Sequence, residues 1–218
     1  MSNDHFSGLA LIVGSSGLII TMSLHPTGHV APEQIEPMIR MLIAVHALAL
    51  ACIPVMFLGA LGLSRRFGSH DHMAMTALVV YAFALIAVMN AAVADGLVTP
   101  PVLRQMVASA GAQSASDSWR MISHYNFYVN QGYAQVFVAA SSVAIVLWSA
   151  ATWHSKELAR GLGIYGCILG AVTLLALLSG NLSLDKHGFG MIIFAQAAWF
   201  IGAGGLLWRA ESKTGVVG

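Results

Sequence analysis

Charge is what this chain has least of. Only 9% of its 218 residues are Asp, Glu, Lys or Arg, against about 25% in an ordinary soluble domain. A water-soluble fold could not cover its surface with so few charged groups, so lipid must be part of the solvent. The formal net charge of +1 supplies no basic surface, which excludes nucleic acid as a partner class. Cysteine is nearly absent too. Cys52 and Cys167 both sit inside apolar runs, where a thiol usually packs rather than pairs. No H-E-x-x-H, C-x-x-C, Walker or dinucleotide signature occurs, and no catalytic constellation has a diagnostic spacing. Residues 1–7 contain no Lys or Arg, so the positive region of a cleavable signal is missing and the first apolar run is expected to stay as a membrane helix.

Long hydrophobic runs are what the chain does have. Hydrophobic residues make up 57% of it, and the mean hydropathy is +0.76. A spanning helix needs about 20 mainly apolar residues. Six stretches qualify: Gly8–Leu24, Met38–Leu63, Met73–Ala94, Ser123–Trp153, Leu162–Gly180 and Phe189–Trp208. The expected fold is therefore all-α, a single polytopic membrane domain over residues 1–218 built as a six-transmembrane-helix bundle. Arg65 and Arg66, Lys156 and Arg160, and Arg209 and Lys213 cluster in links that fall on one side of such a bundle. The positive-inside tendency makes that side cytoplasmic, with both termini inside a cell inner membrane. Trp148, Trp153 and Trp208 suit an aromatic belt at the inner ends. Only residues 96–119 form a long connection, on the outer side, and Pro101–Gln113 within it reads as a short amphipathic helix, with Val102, Leu103, Met106, Val107 and Ala110 on one face. Helices 4 and 6 echo one another in Tyr133-Ala134-Gln135 and Phe194-Ala195-Gln196. Three stacked helical hairpins would explain the echo; chance among apolar helices would also.

Polar side chains inside spans are costly, and each is a functional lead. They gather in the outer halves. On helix 4, His124, Tyr128, Gln131 and Gln135 recur at i, i+4, i+7 and i+11, which puts them on one stripe. Lipid cannot satisfy these groups, so the stripe is expected to face the bundle, with Asn126 and Asn130 beside it. His46 on helix 2 and His187 opening helix 6 lie at comparable depth, while His25 and His29 sit just outside helix 1, separated by Pro26. Asn90 and Asp95 close helix 3 and Gln196 lies within helix 6. Imidazole is the commonest ligand for zinc, copper, iron and nickel. His25, His29, His46, His124 and His187 are accordingly the candidate metal ligands. His46, His124, His187, Tyr128, Gln131 and Gln135 are the candidate cofactor-binding set, with a bis-histidine haem as a special case. The alternative for each histidine is a hydrogen-bonded packing or interfacial residue. Ser69-His70-Asp71-His72 reads as a solvated turn.

The resulting expectation is a small integral membrane protein with a histidine-lined pocket near the outer face, for a transition metal, haem or small polar ligand. Two other classes stay open: a non-catalytic subunit or scaffold whose polar stripe packs on a membrane-protein partner, and a small transporter. Strongly apolar inner halves count against a continuous transport path.

Overall fold

The computed structural model describes residues 3–26, 34–68, 71–109, 113–155 and 159–212. The helices are α1 (Asn3–Leu24), α2 (Ile35–Arg66), α3 (His72–Val93), α4 (Thr99–Ala108), α5 (Gln113–Ser155), α6 (Arg160–Leu178) and α7 (Lys186–Ser212), with a five-residue π-helical turn, Ala94–Val98, joining α3 to α4. No strand occurs among the described residues. Six helical segments are long and apolar enough to cross a membrane, with α3, the π turn and α4 counted as one. The chain is a multi-pass membrane protein with an all-α fold.

Helix ends follow local chemistry. Asp71 caps α3 by accepting hydrogen bonds from the backbone N–H groups of Met73 and Ala74 at 2.9 and 3.0 Å. That is the role the Ser69–His72 run takes where it is described. Asp185 does the same for α7, accepting from the N–H groups of Gly188 and His187. These donors hold its carboxyl below the usual carboxylate range, the Gly188 bond acting most.

Small residues let the helices approach. Gly14 and Gly17 of α1 lie against Met56 and Cys52 of α2, and Gly59 and Gly62 of α2 lie against Leu11 and Ser7. Across the other side of α1, Gly8 faces Gly204 of α7 so closely that a Cβ on Gly8 would fall 2.6 Å from the Gly204 carbonyl. A lipid-facing bundle gains little from apolar burial between helices, so such close contacts carry the association. α1 thus sits between α2 and α7, and α5 sits between α3 and α6. The arrangement corrects the three-hairpin expectation. α1–α2 and α3–α5 are packed pairs, but α7 packs on α1 and α6 on α5, while α6 and α7 touch more sparsely, through bonds such as Tyr165 Oη to the Ala195 carbonyl at 2.8 Å.

An aromatic cluster fills the centre. Tyr81, Trp148, Trp199 and Phe200 meet with ring centroids 5.1–6.0 Å apart. Trp148 is fully buried and donates its indole N–H to Ser64 Oγ at 2.9 Å; Ser64 in turn donates to the Ala74 carbonyl at 3.1 Å. The indole therefore ties α5 to the α2–α3 corner instead of joining the interfacial belt. Trp153 and Trp208 are exposed, as a belt requires.

The start of α1 and the end of α7 lie on the face that holds the α2–α3 link. Asp4 pairs with Arg66 at 3.0 Å, and His5 stacks on Trp208 with centroids 4.8 Å apart. On the opposite face the helices end at different heights. α1 stops at Leu24, α6 at Leu178, and α7 starts at Lys186, where Lys186 Nζ donates to the Pro26 carbonyl. α2, α4 and α5 continue outward. Glu36 and Arg104 form a two-pronged ion pair, at 2.7 and 3.2 Å, between the start of α2 and α4. With 43 residues, α5 is about 65 Å long, roughly twice the hydrocarbon thickness of about 30 Å. The expected outer loop at residues 96–119 is thus largely helix: α4 prolongs α3, and α5 begins ten residues before the expected Ser123. α4 is held against α5 and the α2 start.

Replacing Trp148 with Ala is expected to cost about 3–5 kcal/mol of stability, because the emptied core site cannot collapse fully. Trp153→Ala, at a side chain 59% exposed, is expected to change it by less than about 0.5 kcal/mol. Unfolding in mixed detergent–SDS micelles measures both, and equal effects would contradict the central position of Trp148.

Candidate metal centre

Three side chains from separate helices converge on the face opposite the termini. His25 follows α1, His46 lies within α2, and Asp95 lies in the π turn after α3. Asp95 Oδ2 stands 3.2 Å from His25 Nε2 and 3.3 Å from His46 Nε2. The two imidazoles meet edge to face with centroids 5.1 Å apart. One donor atom from each residue lies within 4.8 Å of the other two. The side chains are 8% exposed for His46, 14% for His25 and 27% for Asp95, so the group is sheltered but not sealed.

The π turn brings Asp95 there. Pro100 and Pro101, in the first turn of α4, lack the N–H groups that would continue an ordinary α ladder. The ladder widens instead, and the Thr99 N–H bonds to the Ala94 carbonyl. That carbonyl also accepts from Thr99 Oγ1 at 3.1 Å and from Asn126 Nδ2 of α5 at 3.0 Å. Asn126 Nδ2 reaches Thr99 Oγ1 as well, at 2.9 Å, and Thr99 Oγ1 approaches Asp95 Oδ1 at 3.4 Å. The wide turn faces two successive residues, Asp95 and Gly96, toward α2. Gly96 is needed because a Cβ there would lie 2.2 Å from His46 Cβ. π turns inside longer helices recur at functional sites for this reason: they re-aim side chains.

The rings are oriented by their other nitrogens. His46 Nδ1 lies 2.8 Å from the Leu42 carbonyl, and His25 Nδ1 lies 3.2 Å from the Pro26 carbonyl. A carbonyl only accepts, so each Nδ1 carries the hydrogen. In the neutral rings each Nε2 then holds a lone pair, and both lone pairs are aimed at a carboxylate oxygen. Three electron-rich atoms cannot face one another without positive charge among them. Either two hydrogens lie between them, or the three atoms share a cation. Fixing Nδ1 through a backbone carbonyl is also how metal-ligating histidines are commonly oriented. Bonds of 2.0–2.1 Å to a tetrahedral ion put neighbouring ligand atoms about 3.3 Å apart, which matches the two carboxylate–imidazole separations. No second histidine of the candidate cofactor set meets His46 for the expected haem, since His124 and His187 are exposed and stand outside this group.

The sequence-derived candidates divide accordingly. His25 and His46 are brought together. His29 lies outside the described residues. His124 and His187 are exposed and do not join this group. Tyr128 is 69% exposed, Gln135 is exposed and Gln131 partly so. The stripe therefore shares one helix face, as its spacing requires, but that face does not point into the bundle. Its neighbour explains why. α6 packs along the same face lower down, where Gly163, Gly166 and Gly170 meet Thr152, Ser149 and Ser142, and α6 ends at Leu178 before it reaches the stripe. The stripe lies at and beyond the level where α6 ends. Asp95 is the member of the group that histidine counting misses. Its signal in the sequence is a lone carboxylate closing an apolar run, immediately before Gly96 and a proline pair.

No protein-family model, curated protein or solved structure matches the chain.

Gly96→Ala is expected to force α2 away from the π turn and to lower thermal stability in detergent by about 1–3 kcal/mol, the usual cost of overpacking. Leu97→Ala, at a neighbouring side chain that is 51% exposed, serves as the control. A Gly96→Ala protein as stable as the wild type would contradict the close His46–Gly96 approach.

Proposed function

We propose that this membrane protein binds one divalent transition-metal ion through His25, His46 and Asp95, at the membrane boundary opposite its termini. The observation that carries the reading is the convergence of two imidazole Nε2 atoms on one carboxylate oxygen, each ring held through Nδ1 at a backbone carbonyl. Two imidazoles with one carboxylate form a borderline-to-hard donor set, suited to zinc, iron(II), manganese(II), nickel(II) or copper(II) rather than to copper(I). The positive-inside tendency of Arg65, Arg66, Arg160 and Arg209 supports a cytoplasmic location for the termini in an inner membrane. The metal centre then opens to the outer compartment. Arg104 and Glu36, about 15 Å further out along α2, frame the approach.

Within this reading the protein's own groups hold and orient the ion. Leu42 and Pro26 fix the tautomers, Asn126 and Thr99 fix the turn that carries Asp95, and Gly96 leaves room for His46. A bound ion in such a set acts as a Lewis acid.

Metal analysis of protein purified in detergent after zinc or manganese supplementation tests the proposal. One equivalent per chain is expected in the wild type, with at least a tenfold loss in both His46→Ala and Asp95→Asn. Size-exclusion elution at the wild-type volume checks that the variants fold. Metal content equal in wild type and variants would overturn the reading and leave hydrogens between the three atoms as the account of the geometry.

A further inference from the structure

The outward arm of α5 carries an uncovered packing seam. Against α6, α5 presents Trp153, Ser149, Val146 and Ser142, spaced by alternating steps of four and three. The same steps continue outward through Ala139 to Gln135, Gly132, Tyr128, Tyr125 and Met121. Alternating three- and four-residue steps are the register of a helix built to receive another helix. α6 fills the seam only as far as its end at Leu178. Beyond it Tyr128, Tyr125 and Met121 are 69, 72 and 71% exposed, and a Cβ added to Gly132 would meet nothing within 4 Å. The same arm is fixed on its other side by Asn126, which bonds to the π turn, so the seam is presented on a braced helix.

We propose that this seam is the contact between two copies of the chain, paired about a two-fold axis through their α5 arms. Copies inserted in the same orientation present parallel α5 helices, and residues near the axis then face their own counterparts. The composition of the seam suits that pairing. Met121, Tyr125, Tyr128, Gly132 and Gln135 carry no formal charge, so like does not repel like. A glutamine amide and a tyrosine hydroxyl each donate and accept, so each can bond to its own copy. Gly132 provides a notch for close approach. Two tyrosines and a methionine per copy would bury on the order of 1,000 Å² in total, which reaches the threshold for a specific interface of about 1,000 Å². The metal centre and the seam share no residue, and the two proposals stand or fall separately.

Oxidative cross-linking in native membranes tests the pairing. Tyr128→Cys and Gln135→Cys are introduced singly on a Cys167→Ala background, and copper–phenanthroline is the oxidant that turns two thiols into a disulfide. Leu97→Cys, exposed on the turn between α3 and α4, is the control. The expected result is a species of twice the monomer mass from both seam variants, at least fivefold more abundant than from Leu97→Cys. Tyr128→Arg, tested without cross-linking, is expected to convert the detergent-solubilised protein from dimer to monomer by light scattering while leaving its thermal unfolding cooperative. Dimer yield no higher than in the control overturns the proposal. So does a cross-linked product whose mass reveals a different protein on the seam, or a wild type that is already monomeric in both membranes and detergent.

Discussion

A carboxylate held at the membrane boundary in a bundle of apolar helices needs positive charge beside it. Asp95 is that carboxylate. Its Oδ2 is met by His25 Nε2 and His46 Nε2 at 3.2 and 3.3 Å, and much of the end of the bundle opposite the start of α1 is arranged so that this meeting occurs. α1 stops at Leu24 so that His25 can turn over the end of the bundle. The ladder after α3 widens so that Asp95 and Gly96 both face α2. Asn126 reaches across from α5 to hold the carbonyl that the widened turn exposes. Breaking one buried partner from such a set leaves the others uncompensated, which is far more costly than losing a surface ion pair. The Glu36–Arg104 pair further out, about half exposed on both sides, belongs to the weaker class.

The rest of the bundle depends on a different constraint, the close approach of backbones. Gly8 against Gly204, and Gly14, Gly17 and Gly59 against the α1–α2 interface, let α1 serve as the shared wall between α2 and α7. Trp148 supplies the complementary bulk on the α5 side, with its one polar atom satisfied by Ser64. Small residues where helices touch and a cluster of aromatics at the centre give the bundle a defined packing, and buried polar groups within the spans bond to one another, as Gln196 does to Ser142. The polar centre at the boundary is thereby mounted on a rigid support.

The six spans were legible because hydrophobic runs of that length leave few alternatives. The nearness of His25 and His46 was legible in part, and so were the shared helical face of His124, Tyr128, Gln131 and Gln135 and the amphipathic segment that became α4. What those residues face was not legible. Their burial depends on where α6 ends, and no local pattern in α5 records the length of its neighbour. The polar character of residues 113–122 hid the first ten residues of α5, since a helix outside the bilayer needs no apolar run. The union of His25, His46 and Asp95 depends on the antiparallel register of α1, α2 and α3 together. That register follows from glycine contacts such as Gly17 on Cys52 and Gly59 on Leu11, which are long-range. Trp148 shows the same limit: an indole near a helix end reads as a belt residue until a serine on another helix claims its N–H.

X-ray absorption at the metal edge of the zinc-loaded protein addresses the centre most directly. The account predicts a first shell of nitrogen and oxygen only, at about 2.0–2.1 Å, with the outer-shell scattering of two imidazole rings, reduced to one ring in His46→Ala if any metal is retained. A sulfur shell near about 2.3 Å, or an imidazole signal unchanged by His46→Ala, would contradict it.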